Sequence, residues 1–268
     1  MKKIVLLSYT LTLSALLSAQ QNEGKVTYER TVQMHIQISD NDEMAPRLPK
    51  TITDRFELTF GNNQSIWKRI DDEGAIDEAG DNGGGMHIRI MAQGQNDIIF
   101  CDFSLGKEVE QKEIFDKKYI VTDSIKKLNW KLTGDTQTIL NHVCQKAIAQ
   151  KTGKRTEVNI DNGVMKKKEA DDTTNIIAWF TTDIPVSAGP EYPGELPGLI
   201  LALEMNKGSV VYKATAISEK ADPADIKEPT KGKKVTPDEF KAEQQKLMDE
   251  MQRNNEGGGD RRVFRISN

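Results

Sequence analysis

The chain has two cysteines, Cys101 and Cys144, and three histidines in 268 residues. So few thiols exclude a disulfide-dense scaffold and paired-cysteine metal knuckles. The histidines, His35, His87 and His142, are scattered and fall in no triad spacing. A nucleophile elbow, a P-loop and a zinc-protease helix motif are all missing. Basic charge is not in excess either, since 37 Lys and Arg stand against 41 Asp and Glu. A nucleic-acid binder needs a basic stripe, so that class is excluded. After residue 17 no apolar run is long enough to cross a bilayer, so the chain reads as not integral to the membrane.

What is present begins with an export signal over residues 1–19. Lys2-Lys3 form its basic start, residues 4–17 its apolar stretch, and Leu17-Ser18-Ala19 a small-residue cleavage site before Gln20. Lys2 and Lys3 leave with that segment, so the mature chain carries a formal charge of −6. No cysteine stands directly after the apolar stretch, which excludes lipidation on the usual lipobox pattern. The expected place is the periplasm or cell envelope. In that oxidising compartment an even pair of cysteines predicts a Cys101–Cys144 disulfide, and two separately buried thiols are the other reading.

Residues 20–218 read as one antiparallel β domain. Residues 25–38 alternate apolar and polar, Arg55-Phe56-Glu57-Leu58-Thr59-Phe60 repeats the pattern, and Gly61-Asn62-Asn63 turns the chain into the next strand. Further strands are expected at 96–105, 108–115, 118–122, 129–132, 143–150, 155–160, 176–181, 198–204 and 209–218. Residues 71–85 are acidic and Gly-rich and predict a loop. Helical patterns between the strands are lacking, so a parallel α/β fold is excluded. The expected fold is mainly β: a single strongly curved antiparallel sheet, a half-open barrel, with a C-terminal helix. A β-sandwich is the alternative. The layout is similar, in pattern only, to that of outer-membrane lipoprotein carriers.

Composition changes after Ser218. Residues 219–235 read as a charged linker. Thr236-Pro237-Asp238-Glu239 is a helix start, and an amphipathic helix is expected over 236–253. Residues 254–268 hold a hinge, Gly257-Gly258-Gly259, and a basic alternating tail, Arg261-Arg262-Val263-Phe264-Arg265-Ile266. Such a tail can add as a strand to a sheet edge.

The segment Trp179-Phe180-Thr181-Thr182-Asp183-Ile184-Pro185-Val186-Ser187-Ala188-Gly189-Pro190, then Pro193-Gly194-Glu195-Leu196-Pro197-Gly198-Leu199-Ile200, resembles the GLPGLI family. Glu195 stands where that family's motif has its first glycine. Asn141-His142-Val143-Cys144 is a second point of likeness. The resemblance implies a secreted or periplasmic protein associated with the cell envelope, and names no substrate.

Within the segment, Trp179, Phe180, Pro190, Leu196, Pro197 and Gly198 are the candidate ligand-binding residues. A loop of turn residues there would gate an apolar concavity, while Leu199, Ile200 and Leu201 fill the core. Met86, His87 and Met91 form a weaker soft-metal alternative suited to Cu(I). In a strand, His87 and Met91 share a face and Met86 takes the other, which leaves the set short of a closed site. The expected function is therefore a non-enzymatic binding protein for a hydrophobic or peptidic ligand, with no cofactor. Its partner would be a lipid, a peptide or an envelope protein. A structural or protein-interaction accessory, copper binding and a hydrolase are the alternatives.

Overall fold

The computed structural model describes residues 21–33, 51–70, 97–114, 117–161 and 164–256. The signal segment, the loop at 71–85, Met86, His87, Met91, His35 and the basic tail lie outside the described residues. Among the described residues there are twelve strands: β1 (Gly24–Gln33), β2 (Thr51–Gly61), β3 (Gln64–Ile70), β4 (Ile98–Asp102), β5 (Lys107–Ile114), β6 (Lys117–Ser124), β7 (Lys131–Ile139), β8 (His142–Asp161), β9 (Val164–Thr181), β10 (Leu199–Met205), β11 (Val210–Ser218) and β12 (Lys233–Val235). One helix, α1 (Pro237–Glu256), follows.

The strands form one sheet in the order β12-β6-β5-β4-β3-β2-β1-β11-β10-β9-β8-β7. Every pairing is antiparallel except β12 with β6, which is parallel. The sheet does not close, and among the described residues β12 and β7 are its two edges. A half-open barrel describes this architecture; a sandwich does not, because there is no second sheet among the described residues.

Turn chemistry sets the tight connections. Asn62 and Asn63 both take positive φ between β2 and β3, as a two-residue hairpin loop requires. Leu140 and Asn141 do the same between β7 and β8.

Alternation then builds the inner face. Val26 and Tyr28 of β1, Phe56, Leu58 and Phe60 of β2, and Trp67 of β3 meet Ile176, Ala178 and Phe180 of β9 and Leu199, Leu201 and Leu203 near β10 in one buried cluster. Burial of such side chains stabilises by about 1.5–3 kcal/mol each. Phe56 stacks on Trp67 at 5.1 Å, and Tyr212 meets the Trp67 ring edge-on at 5.9 Å. At one end of this face Asp54 is clamped by Arg30 (2.6 Å) and Arg69 (3.0 Å), so a buried carboxylate is paired on both oxygens.

Residues 219–235, expected to be a linker, lie against the sheet. Ile226 enters an outer-face cluster with Ile66, Phe100, Val109 and Ile120. Lys25–Asp225 (3.8 Å) and Lys107–Glu228 (2.8 Å) flank it. One isoleucine amid charges leaves mean hydropathy low, which is why composition reads as a linker here. The helix start is capped as its sequence predicts: the Thr236 amide donates to Glu239 Oε2 (2.7 Å), and the Glu239 amide donates to Thr236 Oγ1 (3.3 Å). Phe240 and Leu247 pack α1 onto Ile114, Tyr119, Val121 and Val235. Among the described residues no helix is long and apolar enough to cross a membrane.

Candidate functional site

The predicted site centres on residues 182–198, between the end of β9 and the start of β10. This stretch folds back on itself. Amides at Val186, Ala188, Tyr192 and Gly198 each donate to the carbonyl two residues earlier, at 2.6–2.9 Å. Gly194 N–H donates to the Ser187 carbonyl (2.6 Å), and Ile200 N–H to the Ala188 carbonyl (2.9 Å). Ser187 Oγ donates to the Leu196 carbonyl at 2.6 Å.

Two glycines are fixed by close approach. A Cβ at Gly198 would lie 2.1 Å from the Thr181 carbonyl oxygen, and one at Gly189 would lie 2.5 Å from Ile200 Cβ. Only glycine lets backbone and strand meet at those distances.

The loop reaches across the end of the curled sheet to the β6–β7 connection. Glu195 Oε2 accepts from the Leu128 amide (2.8 Å) and from Trp130 Nε1 (2.6 Å). The Trp130 ring meets Tyr192 edge-on at 5.7 Å. Below it, Tyr28 donates its hydroxyl to the Ile200 carbonyl at 2.6 Å. Burial pushes the Tyr28 phenol far above its ordinary range, so it stays a donor.

Of the six nominated binding residues, Phe180, Pro190, Leu196 and Gly198 are buried. Pro197 is exposed, and Trp179 is half-buried beneath the Lys146 ammonium at 5.6 Å. Four of the six are thus packed inside, while Trp179 and Pro197 keep surface open to solvent.

The two cysteines are free thiols, which corrects the predicted bridge. Cys101 is on β4 and Cys144 on β8, with six strands between them in sheet order, and both side chains are buried. Burial pushes the Cys144 thiol up to about 11, and that of Cys101 up as well. His142 Nδ1 lies 3.4 Å from Asp183 Oδ2, a histidine–carboxylate pair beside Cys144. Yet the contact Cys144 Sγ makes is with the His142 carbonyl (3.6 Å), and the thiol is held protonated. That is the reverse of an activated nucleophile. Among the described residues no group of three or more His, Cys, Asp or Glu is placed to hold a metal ion.

A charged band crosses the inner face on β4–β6. Burial pushes Asp97 up to about 6, and Glu108 up to about 7 with Glu110 adding and Lys112 opposing. Lys112 Nζ sits 2.8 Å from Glu110.

The surface that sequence reasoning did not single out is the β7 edge. Residues 131–138 are all exposed, and among the described residues β7 pairs only with β8. Leu132 and Val143 are 54% and 58% exposed, and Leu140 at the turn is open too. Past the end of β7, 151–161 and 164–174 pair, among the described residues, only with each other, as a two-stranded ribbon. The Gly134-Asp135 dipeptide reads as a turn and hid the strand. Gly134 in fact takes φ +85° in a bulge between Leu132 and Thr136. The run Thr136-Gln137-Thr138-Ile139 was the available strand signal.

No curated protein matches the chain. Solved structures of PNGF-II in the C2 and P21 space groups are similar at 15% identity, with TM-scores of 0.49 and 0.48. The likeness covers 82% of this chain, which spans 32% of each of those chains. Residues 130–202, which run from Trp130 through β7, β8, β9 and the folded loop into β10, match the family model described as "Protein of unknown function (Porph_ging)".

Proposed function

We propose that this is an exported cell-envelope protein of the GLPGLI kind that binds an extended polypeptide segment by strand addition along β7, without catalysis. The observation that carries this reading is the free edge itself. Among the described residues β7 is paired on one side alone, so the run 136–139 beyond the Gly134 bulge offers backbone donors and acceptors to solvent, flanked by the exposed Leu132, Leu140 and Val143. Long uncovered edges are templates for another strand: main-chain bonds supply affinity and flanking side chains supply selectivity. A peptidic ligand is favoured over a small apolar one because the loop nominated to gate the concavity is packed into its core. Non-catalytic binding is favoured by the protonated Cys144 thiol beside the His142–Asp183 pair.

The test is binding of an envelope-derived peptide library to the mature chain and to a Leu132→Lys/Val143→Lys double variant. Both positions are exposed, so the variant should keep its melting midpoint. Its affinity for captured peptides should fall by about tenfold or more, the effect of losing about 1.4 kcal/mol of anchor contact. Equal binding by both proteins overturns the reading.

A further inference from the structure

We propose that Arg30 and Tyr212 form a carboxylate-binding subsite on the inner face of the sheet, which the loop residue Glu191 fills in this structure and which a carboxylate-bearing ligand enters by displacing it. The inference goes beyond the strand-addition reading of β7 and does not rest on it.

Strand register builds the subsite. Asp54, Arg30 and Tyr212 stand opposite one another on β2, β1 and β11, and cross-strand partners share a face. Period two puts this row on the same face as Tyr28 and Phe56, so charge is set into an apolar surface. Arg69 of β3 joins it through Asp54. Two guanidiniums therefore meet a single buried carboxylate, and the row carries an excess of positive charge. The loop supplies the second anion. Tyr212 donates its hydroxyl to Glu191 Oε1 at 2.5 Å, while Arg30 donates to the Tyr212 oxygen.

The row holds more donors than it uses. A guanidinium engages a carboxylate best through two parallel N–H bonds. Here Arg30 and Arg69 each reach Asp54 through a terminal nitrogen, and the Nε of both is buried without a hydrogen-bond partner among the described residues. Arg30 is held in place over the Phe56 ring, 4.9 Å from its centroid. Tyr212 is 3% exposed, and burial keeps its phenol well above the ordinary range, so it remains a donor. A few fixed, desolvated donors on an apolar wall are what orients a charged ligand group.

Glu191 has the marks of a replaceable occupant. Its backbone takes φ +61°, a left-handed conformation that is costly for a residue with a side chain, and such positions cluster at ligand clamps. Its neighbours Pro190 and Tyr192 are buried, whereas Glu191 itself is exposed. Its side chain can swing away while the loop stays packed, and an external carboxylate then takes its place on Tyr212.

Isothermal titration tests this on the mature chain, Glu191→Ala and Glu191→Ala/Tyr212→Phe. The probes are octanoate against octanamide, and N-acetyl-trialanine with a free against an amidated C-terminus. If Glu191 holds the subsite about nine-tenths of the time, a carboxylate probe should bind Glu191→Ala about tenfold more tightly than the parent, and its uncharged counterpart should gain nothing. Adding Tyr212→Phe, which keeps the ring and removes one donor, should cancel that gain. Should the double variant fail to fold, the charged and uncharged probes on Glu191→Ala still decide the matter. A gain for octanoate identifies a fatty-acid carboxylate, and a gain for the free-ended peptide a chain terminus; either supports the proposal. It is overturned if Glu191→Ala binds neither carboxylate more tightly than the parent, or if octanamide gains as much as octanoate. Glu191 would then only tie the loop to the sheet.

Discussion

At the scale of single residues, Glu195 carries the clearest consequence. It stands where the resembled motif has glycine, and the geometry gives it work a glycine cannot do: one carboxylate oxygen takes both the Leu128 amide and the Trp130 indole N–H. Removing the side chain leaves two donors without their partner, and a lost acceptor of this kind costs about 1–3 kcal/mol. Glu195→Gly should therefore lower the unfolding free energy measured in urea by that amount, while Glu195→Gln, whose amide oxygen still accepts, should lose less. Equal midpoints for all three would show the contact to be idle. None of this was legible in the sequence, which marked residue 195 only as a departure. Its partners are 65 and 67 positions away in the chain, and no local period connects them. The thiols were misread for a related reason. Count and compartment predict a bridge, but pairing depends on distance in the sheet, where six strands intervene.

At the scale of elements, alternation and turn residues were enough for most strands and for the helix start. Val26, Tyr28, Phe56, Leu58 and Phe60 sit on the buried face that period two predicts. The Thr236–Glu239 box caps α1, which runs to Glu256. Strands that break the period were harder to see. β7 contains a bulged glycine, and the chain before β12 hides one buried isoleucine among charges. The folded loop and β10 supply the prediction that belongs here. Leu199 is fully buried in the largest cluster. Leu199→Ala should cost about 2–5 kcal/mol in chemical denaturation, the range for emptying a packed leucine site. Gly198→Ala should destabilise too, because its new Cβ meets the Thr181 backbone and no side chain can move aside. Pro197→Ala, at an exposed position, should stay within about 1 kcal/mol of the parent. A Leu199→Ala protein as stable as its parent would mean that the motif does not act as core.

At the scale of the whole molecule, a curled sheet with no cross-link is held by its inner face, and that face is not uniformly apolar. The β1–β3 and β8–β11 part is hydrocarbon and aromatic apart from the Arg30–Asp54–Arg69 cluster at one end, whereas Asp97, just before β4, and Glu108 of β5 add carboxyls to the same face. Burial raises their carboxyls to about 6 and about 7, against ordinary values of 3.8 and 4.5. A carboxyl whose pKa is higher in the folded state binds its proton more tightly there. Its stabilising contribution is complete below the unfolded value and is lost as pH rises through the folded one. The window for these two groups therefore runs from about pH 4 to about pH 7, with stability falling upward across it. Glu108→Gln fixes the neutral form at every pH. The variant should melt higher than its parent at pH 8, and the advantage should vanish at pH 4.5, where the parent's Glu108 is protonated when folded. Calorimetry of both proteins at the two pH values checks this. A difference in midpoint that is the same at pH 4.5 and pH 8 would show that the Glu108 charge is not desolvated in the fold, and that the band on β4 and β5 opens to water.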